Sequence, residues 1–159
     1  MSLEVRVVRP GDGAALHAMV LALARSHDHE SAVVAVPEDL ETALFGGNPI
    51  VGAVLALVGG VPAGCAFWHR SFATFRGQEV MYLEDLSVLP EFRRRGVGRA
   101  LLQAVAKLAV QKGYPSVSWM MMSWNHGARA LYRAAGAEID DGTCRCRLHG
   151  EALDRLART

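Results

Sequence analysis

The stretch Arg93-Arg94-Arg95-Gly96-Val97-Gly98 decides the fold, because it separates two opposite sequence patterns. Before it, the segment from Val80 to Leu89 is mostly apolar and is stopped by Pro90, which is typical of a strand. After it, apolar residues recur at the three- and four-residue spacing of an amphipathic helix that ends near Gly113. The stretch therefore predicts a turn that leads from a strand directly into a helix.

The arginines around this turn indicate an anion site. The start of a helix already carries partial positive charge, so each of Arg93, Arg94, Arg95 and Arg99 is unfavourable there by ~0.3–1 kcal/mol. A bound polyanion would relieve this repulsion, and the first helical turn offers unpaired N–H groups to it. A solvated basic turn is the alternative, but glycines at a strand-to-helix junction let the backbone approach a ligand and favour a phosphate site.

Two other phosphate-binding motifs are excluded by their spacing. A P-loop requires Gly-Lys followed by Ser or Thr, and the chain contains no such tripeptide. A dinucleotide-binding loop would follow the first strand and carry a third glycine, whereas Gly96-Val97-Gly98 lies late in the chain and Leu101 stands at the third position.

Outward from the turn, strand and helix patterns alternate along the whole chain. Residues 1–159 therefore predict a single mixed α/β domain, with a hairpin at Gly59-Gly60. The predicted strands are Leu3–Arg9, Ile50–Val58, Val61–Phe72, Val80–Leu89, Ser116–Met122 and Thr143–Leu148, and helices are predicted from about Leu16, Pro37, Gly96 and Asn125, with a short one at the C-terminus.

Composition narrows the class of protein. The chain is 51% apolar and 21% charged, with a formal net charge of +1, which indicates a globular protein with no overall attraction to nucleic acid or membrane. The longest apolar run, Ile50–Val58, is too short to span a bilayer, and the N-terminus does not resemble a secretory signal. Three cysteines, with Cys144 and Cys146 at poor metal-ligand spacing, are expected to be reduced thiols in the cytoplasm.

Three further motifs, in order, carry a resemblance to a known family. They are Tyr82-Leu83-Glu84-Asp85-Leu86-Ser87-Val88, Ser123-Trp124-Asn125 and Leu131-Tyr132-Arg133-Ala134-Ala135-Gly136-Ala137. Together with the R-x-x-G-x-G/A turn, the chain resembles the GCN5-related N-acetyltransferase (GNAT) superfamily, and within it the diamine acetyltransferase branch. The resemblance implies a central, mostly antiparallel twisted sheet flanked by helices, with acetyl-CoA bound where the parallel strands Val80–Leu89 and Ser116–Met122 splay apart.

The resemblance also implies which residues bind the cofactor. Backbone groups of three strand residues would pair with the pantetheine arm, the turn would take the pyrophosphate, and the helix after Asn125 would line the far side. The implied set is Leu86, Ser87, Val88, Arg93, Arg94, Arg95, Gly96, Val97, Gly98, Arg99, Asn125, Ala128 and Tyr132.

The implied reaction is direct attack of a neutral amine on the thioester, which requires a proton acceptor and an acid for the thiolate. On strict alternation Glu84 shares a face with mostly apolar residues, which would partly desolvate its carboxylate and suit it as the acceptor. A glutamate at a sheet edge facing water is the alternative. Asp85 lies on the opposite face of a regular strand, but a bulge would present both carboxylates, with Asp85 as a possible amine anchor.

Tyr132 is the candidate acid by resemblance. Its helix places it on an apolar face with Ala128 and Ala135, so a purely structural role in the core is the alternative. A buried phenol normally finds a hydrogen-bond partner, and the sulfur of coenzyme A would be one.

The resemblance also implies that the loop after the first helix helps to bind the acceptor, here through His27 and Asp28. The histidines and acids of this loop do not complete a metal-ligand set, so no metal is expected. Thr143 stands where family members often carry tryptophan, and Arg145 adds positive charge there; both weaken the match to a true polyamine acceptor.

The sequence leaves two functions in competition. The first is an enzyme acetylating a small primary amine, either a diamine or polyamine or a lysine-like amino acid, with an aminoglycoside, peptide or protein N-terminus as other acceptors. The second is an acetyl-CoA-binding regulatory module without turnover, which retention of both Glu84 and Tyr132 disfavours. Nucleic-acid binding is not expected, because no aromatic residues are interleaved with the arginines. A homodimer is expected from the size typical of the family.

Overall fold

A computed structural model describes residues 2–158 of the chain. By the clustering of its contacts the chain divides between Met121 and Met122 into two compact units, each of which is described by itself. The first unit contains a mixed sheet and three helices, and the second contains two helices. The fold is therefore mixed α/β, as predicted.

Five strands form the sheet in chain order, β1-β2-β3-β4-β5. The first three pairings are antiparallel and β4 pairs with β5 in parallel, which confirms a mostly antiparallel sheet with one parallel pair. The strands are β1 Leu3–Val7, β2 Val51–Val58, β3 Val61–Ala73, β4 Gln78–Val88 and β5 Val117–Ser118.

Helices follow the predicted order. They are α1 Gly13–Ser26, α2 Pro37–Phe45, α3 Val97–Gln111, α4 His126–Ala134 and α5 Gly150–Ala157, with short 3-10 turns at Glu30–Ala32 and Pro90–Phe92. Among the residues described, no helix is long and apolar enough to cross a membrane.

The sheet is covered on both faces within the first unit. On one face, Leu16 and Met19 of α1 and Leu44 of α2 pack with Leu55 and Phe67 of the sheet. On the other face α3 buries the apolar stripe predicted after Gly96, with five buried residues: Val97, Leu101, Leu102, Val105 and Ala109. Strands buried between two helical layers become nearly continuous apolar runs, which explains the sequence of β2.

Strand β4 is anchored closely on its β3 side. Gly64 of β3 opposes Val88, and a Cβ atom at Gly64 would lie 2.5 Å from the carbonyl oxygen of Ser87. The hydroxyl of Ser87, which is 4% exposed, donates a hydrogen bond of 3.0 Å to the carbonyl of Met19 in α1. The end of β4 is therefore fixed to both β3 and α1.

Two predicted strands differ from the structure. The strand predicted over Ser116–Met122 is only Val117–Ser118. The strand predicted over Thr143–Leu148 is wrong, because these residues have no regular secondary structure and are all exposed. Their alternating pattern, Cys144-Arg145-Cys146-Arg147, has no buried face to drive strand formation.

The tight contact at Gly64 predicts a stability difference between two glycines. Gly64→Ala should lower the free energy of unfolding by about 1–3 kcal/mol, because the new methyl group meets a backbone oxygen that cannot rotate away. Gly47→Ala is the matched control, since no atom lies within 4 Å of its added Cβ and its effect should stay within ~0.5 kcal/mol. Urea unfolding monitored by circular dichroism measures both, and equal midpoints for the two variants would contradict the prediction.

Candidate active site

A bulge in β4 shapes the candidate site. The register with β3 runs from Trp68 opposite Leu83 to Phe67 opposite Asp85, so Glu84 is an extra residue without its own partner. A bulge changes the facing of the residues that follow it. Strand β4 is therefore irregular at this point, and Asp85 is not turned away from Glu84 as it would be in a regular strand.

The bulge brings two carboxylates to one face of the sheet. Asp85 opposes Phe67, whose ring belongs to the core beneath α1 and α2. An oxygen of Glu84 lies 3.4 Å from Nε2 of His69, which shares the face of Phe67 because the two are separated by one residue on β3. Two negative charges on one face favour a cationic ligand.

The surroundings of Glu84 differ from the expected apolar ones. Its side chain is 51% exposed, so burial does not desolvate it. Its neighbour is the imidazole of His69, whose ring stacks on Tyr82 with the centroids 5.1 Å apart. The sequence did not single out His69, because its distance from Glu84 follows from the register of a long hairpin and a bulge within it.

The far half of β4 has an open edge. Its parallel pairing with β5 covers only Met81 and Tyr82, so from Leu83 onward β4 has no β5 partner. Leu86, Ser87 and Val88 lie on this part of the strand. The Ser87 hydroxyl is buried and donates its proton to α1, so this proton is not available to a ligand. Nε of Arg93 donates to the carbonyl of Val88 at 3.1 Å and fixes the turn to the strand end.

The arginine turn has the geometry of an anion site. Gly96 is the N-cap of α3 with φ +80°, and Arg94 has φ +61°, a left-handed conformation unfavourable for a residue with a side chain. No side chain caps the helix and its first turn has no acidic residue, so the N–H groups of Val97, Gly98 and Arg99 are available. A Cβ at Gly96 would meet nothing within 4 Å, so the backbone there faces open space.

The charges of the turn are also uncompensated. Arg93, Arg94, Arg95 and Arg99 are exposed, and within residues 2–158 no carboxylate is in ion-pair contact with them. Backbone donors and exposed cations at one helix start fit the pyrophosphate of a coenzyme A derivative.

In the second unit, α4 carries the other implied residues. The side chain of Asn125 accepts a hydrogen bond of 3.0 Å from the N–H of Ala128 and so caps the helix. Tyr132 is 7% exposed, and burial raises the pKa of its phenol above the ordinary value. A tyrosine in this state keeps its proton at neutral pH and can donate it.

The loop after α1 holds the predicted acceptor-binding residues. Asp28 is exposed and has φ +56°, and the N–H of His27 caps α1 by bonding the carbonyl of Ala24. Arg25 and Glu30 close the loop with an ion pair of 2.7 Å. Over the described part of the chain, no three His, Cys, Asp or Glu side chains are grouped so that they could hold a metal ion.

Comparisons with known proteins identify the family. Residues 16–137 match the Acetyltransferase (GNAT) family. Thialysine N-epsilon-acetyltransferase of Caenorhabditis elegans is 31% identical over 159 residues, which cover 98% of each chain. L-ornithine N5-acetyltransferase of Arabidopsis thaliana is 35% identical over 96 residues, or 60% of this chain and 42% of that protein.

Solved structures share the fold. An integron cassette protein from the mobile metagenome of V. cholerae superimposes with a TM-score of 0.80 and 25% identity, covering 100% of this chain and 99% of that one. The family match, the relatives and the fold agree with one another. The chain therefore belongs to the GNAT family and is an acetyl-CoA-dependent N-acetyltransferase.

Proposed function

We propose that the protein transfers the acetyl group of acetyl-CoA to a side-chain amine of a small, lysine-like amino acid, by direct attack in a ternary complex. The observation that carries this proposal is the pair of carboxylates, Glu84 and Asp85, on one face of the bulged strand. They would attract an ammonium group, and the names of the relatives indicate amino acids with a second amine as acceptors in those proteins. The alternatives to a lysine-like acceptor are a diamine or polyamine, an aminoglycoside, and a peptide or protein N-terminus.

The cofactor would be held mainly by backbone groups of the first unit. The pantetheine arm would pair with Leu86, Ser87 and Val88 on the open edge of β4, and the N–H groups from Arg94 to Arg99 would bind the pyrophosphate. In the second unit Asn125 and Ala128 would contact the pantetheine. Bound acetyl-CoA supplies the thioester carbonyl that the amine attacks.

Glu84 would accept the proton of the ammonium group. An amine is nucleophilic only when its lone pair is free, so the ammonium proton must leave first. The half-exposed carboxylate of Glu84 can take this proton and pass it to solvent. Asp85 would then hold the substrate by charge, with Asp28 and His27 of the α1 loop as further contacts.

Tyr132 would protonate the departing thiolate. Its support is the buried phenol, whose raised pKa keeps the proton on the oxygen under neutral and mildly alkaline conditions. We also propose that the full chain acts as one domain, and that the protein is a cytoplasmic homodimer that needs no metal.

The acceptor proposal is tested by a panel of amines. With acetyl-CoA, kcat/KM should be highest for thialysine, ornithine or lysine, and at least about ten-fold lower for spermidine and an aminoglycoside. Release of coenzyme A measures turnover. Initial-rate lines that intersect indicate the ternary complex, whereas parallel lines indicate a covalent acetyl-enzyme. A higher kcat/KM for spermidine or the aminoglycoside would replace the proposed acceptor.

Tyr132→Phe should lower kcat by about 100-fold while the affinity for acetyl-CoA stays nearly unchanged, because only the transferable proton is lost. The folded pKa of Tyr132 lies above the ordinary tyrosine value. At every pH below about 10, wild-type turnover should therefore show no decrease caused by loss of this proton. Tyr114→Phe is the matched control and should keep full activity. Unchanged turnover in Tyr132→Phe would remove Tyr132 from the mechanism.

Arg99→Glu should have opposite effects on stability and on cofactor binding. A carboxylate in the first turn of α3 favours the helix by ~0.3–1 kcal/mol, so the cofactor-free protein should melt at a higher temperature. The same carboxylate repels phosphate, so the affinity for acetyl-CoA should fall about ten-fold or more. Acetyl-CoA should then raise the melting temperature of the variant by less than that of the wild type. Lys107→Glu, exposed further along α3, makes the same charge change and should leave affinity within about two-fold. Equal affinities for the two variants would contradict the phosphate site.

A further inference from the structure

We infer that His69 is a positioning residue that holds the carboxylate of Glu84 and shares the proton taken from the substrate amine. This inference deepens the proposed function and rests on the role of Glu84 as proton acceptor. Nε2 of His69 lies 3.4 Å from Oε2 of Glu84.

The fold fixes the place of His69. It opposes Tyr82 in the β3–β4 register and Val51 in the β2–β3 register, so its backbone lies within the sheet. Its ring stacks on Tyr82 with 5.1 Å between the centroids and 34° between the planes. The bulge then places an oxygen of Glu84, two residues beyond Tyr82, 3.4 Å from Nε2 of the ring.

Both ring nitrogens of His69 face hydrogen-bond acceptors. Nδ1 lies 3.1 Å from the carbonyl oxygen of Arg70 and Nε2 faces the carboxylate of Glu84, so the single N–H of a neutral ring can serve only one of these two acceptors. In the tautomer with its proton on Nδ1, the lone pair of Nε2 faces the carboxylate of Glu84. One added proton between Nε2 and Oε2 would turn this approach of two acceptors into a charge-assisted hydrogen bond.

The proton lost by the substrate supplies that missing proton. An N–H bond of the ammonium group breaks, the electron pair stays on the amine nitrogen, and the proton moves to an oxygen of Glu84. From Glu84 the proton passes to Nε2 of His69, and from there to water. The imidazole side chain is 34% exposed, so it has access to solvent.

Other charges along the hairpin are engaged elsewhere. Arg70 lies 3.6 Å from Glu79 of β4, on the exposed part of the hairpin beyond His69. Asp85 opposes Phe67 and acts electrostatically on Cys65. The proton is assigned to Glu84 because its carboxylate lies 3.4 Å from Nε2 of His69.

A double-mutant cycle tests the inference with the full-length protein and acetyl-CoA. Glu84→Gln should lower kcat by about 100-fold, and His69→Phe, which keeps an aromatic ring beside Tyr82, by about ten-fold with KM for acetyl-CoA within about two-fold. The double variant should be no slower than Glu84→Gln, because His69 acts only through the carboxylate. A double variant slower than Glu84→Gln by a further ten-fold would overturn the inference.

A second variant at His69 separates sharing of the proton from merely holding the carboxylate of Glu84. It also gives a second readout in case His69→Phe fails to fold. His69→Gln retains a hydrogen-bond donor but has no basic nitrogen, so it should be as slow as His69→Phe. His149→Phe, an exposed histidine before α5, is the matched control and should keep wild-type kcat. Full turnover in either His69 variant overturns the inference and leaves the proposed function standing. Full turnover in Glu84→Gln instead rejects Glu84 as proton acceptor.

Discussion

The extra residue that β4 carries at Glu84 is the constraint on which the candidate site depends. Without it, alternation would send Glu84 and Asp85 to opposite faces of the sheet. With it, one carboxylate meets His69 while the next opposes Phe67. The bulge thereby places two negative charges on one face of β4.

The two edges of β4 differ in how far they are paired. On the β3 side, the strand is paired along its length and is held by the close approach at Gly64 and the buried bond from Ser87. On the β5 side, pairing stops after Tyr82 and leaves backbone groups for a ligand. Support on one edge allows the other edge to remain unpaired, and an unpaired strand edge can bind an extended ligand through its backbone groups.

The sequence predicts features that depend on neighbouring residues better than contacts between residues that are distant along the chain. The turn at Gly96 and the helix after it were predictable, because glycine placement, helix-end charge and apolar spacing are local. The contact of His69 with Glu84 was not, since it requires the register of two strands and the place of a bulge. The failed strand at Thr143–Leu148 has the related cause that alternation alone cannot reveal whether a partner strand exists.

The core between the sheet and helices α1 and α2 also makes the three cysteines differ in reactivity. Cys65 is 1% exposed, and burial, reinforced by the negative charge of Asp85, raises the pKa of its thiol well above the ordinary range. Cys144 and Cys146 are exposed free thiols. Alkylating reagents act on thiolates, so they modify the two exposed cysteines first and reach Cys65 only when the sheet opens. The rate at which Cys65 is alkylated therefore reports how often strands β3 and β4 separate.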